Sequence, residues 1–148
     1  MSPGKLRIGE LLALAGAVCV LIAMFIPYYE GPATGSLTAW DTFGPAVALL
    51  LAAVAAALAM FVATLTERST ALPVTATVWV APLGLAGVIA AIVRLFERPE
   101  HATALCAGGW LALVGTLAIL AGAWQAIHDE RRSSYQPATP APRPRPGG

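Results

Sequence analysis

Eight acidic side chains, two histidines and two cysteines are all that this 148-residue chain offers for acid–base, metal or thiol chemistry, so their spacing decides what they could do. The densest group lies in RLFERPEHATALC, which holds Glu97, Glu100 and His101. Carboxylate and imidazole can bind a divalent metal, but Pro99 breaks the helical register and no second histidine is near, so no metal site is expected. His128, Asp129 and Glu130 are contiguous, and neighbours in a helix face different ways. They read as a solvated helix end rather than a triad. Glu10 sits alone among apolar residues; a carboxylate at mid-depth in a membrane would be a proton-coupling group. It follows Arg7 by three residues and starts its apolar run, so an interfacial charge is the expected role. With Thr116 and Gln125 it forms the set that could line a transport path. No nucleophile paired with a base and no cofactor motif is found, so no enzymatic function is expected.

The elements that must position these residues follow from composition. Hydrophobic residues make up 57% of the chain and charged ones only 11%, whereas a soluble domain carries roughly a quarter charged. The charges fall in a few clusters, leaving apolar stretches of about 20 residues, the length that crosses a hydrocarbon core ~30 Å thick. Four spans are predicted, at 8–28, 43–65, 73–96 and 104–127, as one domain between an N-terminus of residues 1–7 and a tail of 128–148. The first is too long for a signal-peptide core and lacks a cleavage site, so it should remain. Pro82, well inside the third, should kink it. Cys19 and Cys106 fall about eight helical residues apart in depth, on the order of 12 Å, too far for a disulfide.

Basic residues set the direction. With the N-terminus inside, the inner segments hold Lys5, Arg7, Arg68, Arg131, Arg132, Arg143 and Arg145, and the outer ones Arg94 and Arg98. The expectation is an all-α antiparallel bundle, N-in and C-in, in a bacterial cytoplasmic membrane. Net charge +1 gives no reason to expect nucleic acid. The Pro-rich tail should be disordered; its PAPRPRP segment could dock on an aromatic groove, with a solvated segment leaning on anionic lipid as the simpler expectation. Arg94 and Arg98 should snorkel to the outer headgroups and pair with Glu97.

Tyr28, Tyr29 and Trp40 flank the first outer loop where aromatic belts form, and Trp124 lies near the inner end of the fourth span; all are expected as interfacial anchors. Between them EGPATGS is turn chemistry and TAWD a capping box, Thr38 with Asp41. Gly108, Gly115 and Gly122 recur every seventh residue with Ala112 beside them, a smooth stripe that another helix can approach closely. Packing within the chain is the expected use, and a homo-oligomer or another membrane protein the alternative.

FIPYY, TAWDTF, RSTALPV and GGWLALVGTLAILAGAWQAIHDERR, in this order between Ile8 and Arg132, resemble a group of uncharacterised small four-span membrane proteins of GC-rich bacteria. The resemblance implies topology and no activity. Small multidrug exporters share the span count but use a carboxylate in mid-span, where this chain has AGAVCVLI. An accessory or scaffold role is therefore expected, with a small transporter or channel subunit as the alternative.

Overall fold

The computed structural model describes residues 8–32, 35–66, 71–97 and 102–133. The N-terminus, the tail beyond Ser133 and Arg98, Pro99, Glu100 and His101 lie outside these, and with them the expectations about tail docking and the full second loop. The chain is mostly helical: α1 (Ile8–Ala23), α2 (Ala39–Thr42), α3 (Val47–Thr66), α4 (Ala71–Phe96) and α5 (Ala107–Ser133). Three stretches, Gly44–Leu65, Trp79–Phe96 and Ala107–His128, are long and apolar enough to cross a membrane. The surface agrees with that reading. Large apolar side chains such as Phe25, Val62, Trp79, Phe96, Val114 and Trp124 point outward, while Ala13, Ala17, Ala53, Ala57, Ala112 and Ala123 point in. Lipid does not reward burial of large apolar groups, so small residues gather where helices must approach.

α1 is shorter than its apolar run, 16 residues against the 21 of the predicted span. Apolar length does not show where a helix stops. Here Pro27 cannot continue it and pushes Ile26 toward extended backbone, and the last turn tightens, Phe25 N–H donating to Ile22 and Ile26 N–H to Ala23. At the other end of the chain α5 continues to Ser133, past the boundary placed at Ile127. HDERRS contains neither glycine nor proline, so nothing ends the helix where the apolar run does. α4 runs unbroken through Pro82.

The expectation of an all-α fold needs one correction. The connections after α1 and after α4 form a small antiparallel sheet in the order β2 (Gly35–Leu37), β1 (Tyr29–Gly31), β3 (Ala104–Leu105). Tyr29 lies opposite Leu37 on one side and Leu105 on the other. Strands of two or three residues are too short to show an alternating pattern, and the β3 partners of β1 lie 74 and 76 residues away. The ladder continues on both sides: Thr103 N–H donates to the Glu30 carbonyl, Cys106 N–H to Tyr28 and Gly108 N–H to Pro27.

α1 packs on α5 and α3, and α4 packs on α5 and α3. Along α1 and α5 the contact is backbone on backbone. A methyl group added at Gly16 would stand 2.6 Å from the Gly115 carbonyl oxygen, and one at Gly122 2.5 Å from that of Gly9. No side chain larger than hydrogen fits there.

Candidate functional site

The residues that could do chemistry collect at two places, the sheet-capped end of the bundle and the N-terminal end of α1. The cap is built by β1, α2 and the last turn of α4. Tyr28 and Tyr29 were expected at the lipid interface, and the structure corrects this: they are 2% and 0% exposed. Tyr29 lies in β1, the middle strand, and Tyr28 just before it, and each ring is covered by a different neighbour. The Tyr29 hydroxyl donates to the Arg94 carbonyl at the end of α4, in the last turn, where helix carbonyls lack partners of their own. Tyr28 meets Phe43 edge-on at 5.2 Å, and its buried hydroxyl has no hydrogen-bond partner among the described residues.

Phe43 in turn underlies the Arg94 guanidinium at 5.8 Å from the ring centre. This cation–π contact replaces the expected ion pair: among the described residues Arg94 makes none with Glu97. Trp40 stays outside, 48% exposed and tilted over Phe25 at 6.2 Å, and Trp124 is 71% exposed on α5. The capping motif is present, with the carboxylate as its centre. Asp41 accepts both the Thr38 N–H at 2.9 Å and the Thr38 hydroxyl at 2.8 Å. These two bonds hold its pKa below the ordinary carboxylate value. Cys106 Sγ lies 4.0 Å from Glu30 Oε2 at the cap surface, and both cysteines are free.

At the N-terminal end of α1 Glu10 is buried at 8% exposure, and Thr64 of α3 donates its hydroxyl to Glu10 Oε1 at 3.1 Å while also reaching the Met60 carbonyl. Thr116, fully buried in mid-α5, returns its hydroxyl to the Ala112 and Leu113 carbonyls of its own helix, and its methyl faces Gly87 of α4. Gln125 borders a different, outward-facing groove with Trp124 and His128. Glu10 and Thr116 thus spend their hydrogen bonds on separate partners, while Gln125 Cβ would stand 3.3 Å from a methyl added at Gly9, beside Glu10. Among the described residues no three His, Cys, Asp or Glu side chains gather as a metal-binding group.

The glycine stripe does have a partner, and it is α1. Gly115 stands against Gly16 and Val20, Gly122 against Gly9 and Ala13, and Gly108 against Ile26 and Pro27. Sequence reasoning found one half of this seam and missed the other. The signal was there, since Gly9 and Gly16 repeat the same interval of seven. By contrast, nothing in the sequence pointed to Arg94 as the partner of Tyr29, or to Thr64 as that of Glu10. No known family model, curated protein or solved structure matches the chain.

Proposed function

We propose that the chain is an integral protein of a bacterial cytoplasmic membrane, with α1, α3, α4 and α5 as a four-helix antiparallel bundle, both termini inside. It acts without chemistry of its own, as an accessory or scaffold subunit that docks on another membrane protein. The reading of α1 as a fourth crossing is supported by its seam with α5. Along α1 the seam extends from Gly115 to Ala126, and Gly108 continues it against Ile26 and Pro27 just past the helix end, 18 residues or ~27 Å in all, close to the thickness of a hydrocarbon core.

One observation carries the docking role. With the glycine stripe consumed inside the chain, α5 still presents Trp110, Val114, Leu117, Ala121 and Trp124 outward, at alternating steps of four and three. That is the seam spacing of helices that pair lengthwise. Partner contact through the fourth span is thus assigned to the face opposite the one the glycines mark.

The test is photo-crosslinking in membranes from Val114 and Leu117, with Trp40 as the comparison site and adducts identified by mass spectrometry. A stoichiometric foreign membrane protein on α5 supports the accessory role; adducts to a second copy assign the ridge to a homo-oligomer, and none rejects it. The second reading, a transporter or channel subunit, is favoured by the burial of Glu10 beside Thr64. Unchanged proton-driven flux in vesicles carrying Glu10→Gln would reject it.

A further inference from the structure

We propose that the recess between α3 and α4 at the outer end binds one phospholipid with an amine-bearing headgroup, its acyl chain in the recess, its phosphate on Arg94 and its ammonium on Glu97. The proposal rests on the membrane reading and is independent of any docking partner on α5.

The recess encloses about 310 Å³. Ala86 and Ala90 line it, with Leu49, Ile89 and Val93 beside them, and Arg94 and Glu97 close one end. From Ala86 to Arg94 is eight residues of helix, ~12 Å, most of the ~15 Å of one leaflet of a ~30 Å core. A groove of that depth on a face turned to lipid fits one acyl chain lengthwise.

Its outer end supplies the charge. Arg94 is held from two sides, its carbonyl by Tyr29 and its guanidinium over Phe43, so the group is positioned before any ligand arrives. It makes no ion pair among the described residues, and its fork of N–H donors suits two phosphate oxygens at once. Glu97 lies three residues, ~4.5 Å of helix rise, farther out, exposed and not bridged to Arg94. Cation first and carboxylate beyond it is the order that complements phosphate and then ammonium in a headgroup rising from the membrane. A purely anionic headgroup would satisfy Arg94 and meet repulsion at Glu97. The cap therefore selects a zwitterion with N–H donors.

The full chain, purified in detergent and offered phosphatidylethanolamine, phosphatidylglycerol or phosphatidylcholine of identical acyl chains, is examined by native mass spectrometry. Phosphatidylethanolamine is expected to be retained best. Arg94→Gln should lower retention of all three about tenfold, the worth of one charge-assisted contact. Glu97→Gln, at an exposed position that leaves the fold alone, should erase the preference for the amine while keeping phosphate binding. Ala86→Phe should fill the recess and displace lipid with Arg94 untouched, which keeps the test open if Arg94→Gln does not fold. Equal retention of the three lipids, or retention unaffected by both Glu97→Gln and Ala86→Phe, overturns the proposal. Best retention of phosphatidylglycerol, raised further by Glu97→Gln, overturns the amine and its pairing with Glu97. A negative result here leaves the α5 crosslinking outcome unaffected.

Discussion

Two helix pairs in this protein are built from small residues and behave differently. Where α1 crosses α5, glycine opposes glycine, and the Gly16 and Gly115 backbones meet so closely that an added methyl would stand 2.6 Å from a carbonyl oxygen. Where α3 meets α4 near the sheet-capped end the small residues are alanines, Ala86 and Ala90, and the gap stays open as a recess of about 310 Å³. One methyl group per position separates the two cases. Without Cβ atoms the backbones touch and exclude lipid; with them the helices stand apart and leave room for an occupant.

The largest test of this contrast is Gly16→Leu. The new side chain has only backbone to push against, so a loss of about 3 kcal/mol or more is expected, read by reversible unfolding in lipid micelles. A stable, folded Gly16→Leu protein would mean that the seam does not exist as described. Next is Tyr29→Phe, which removes the donor to the Arg94 carbonyl and should cost about 1 kcal/mol, with Arg94 loosened over Phe43. Thr64→Val should cost less, on the order of 0.5–1 kcal/mol, because Glu10 loses one donor at a site where the hydroxyl is also shared with Met60.

Asp41→Asn should have a smaller effect, and a pH-dependent one. The folded-state pKa of Asp41 is lowered from an ordinary value of 3.8 by its two bonds from Thr38. Its stabilisation is thus present above that ordinary value and disappears as pH falls through the lower folded one. The difference between wild type and variant should be flat near neutrality and vanish in acid; a difference that grows in acid would contradict the geometry. Smallest of all is Ala86→Val, expected within about 0.5 kcal/mol of wild type because it points into open space. A loss like that of Gly16→Leu would show the recess to be closed in the membrane.

Much of the architecture was legible because it depends on composition along the chain. The three long apolar helices, the Thr38–Asp41 cap and one side of the glycine seam could all be read from residue type and interval. The candidate site was less legible. Tyr28 and Tyr29 have the residue type and position of belt anchors, and only contacts distant in sequence bury them, Phe43 against Tyr28 and the end of α4 against Tyr29. The apolar run passes the end of α1 by five residues because Met24, Phe25 and Ile26 are as apolar in a turn as in a helix.

What the sequence determined by itself is the set of local properties: which stretches prefer lipid, where proline and glycine interrupt them, and which intervals place small residues on one helix face. These rest on interactions within a few turns of chain, so the string of residues contains them. The tertiary structure alone decided which faces meet. It put Gly9 and Gly16 against Gly122 and Gly115, Thr64 beside Glu10, and Tyr29 under the last carbonyls of α4. Those contacts join residues 54 to 113 positions apart, and no local preference specifies them. They follow from packing four apolar helices so that close backbone contact falls where side chains are absent and most buried polar groups, though not the Tyr28 hydroxyl, find partners.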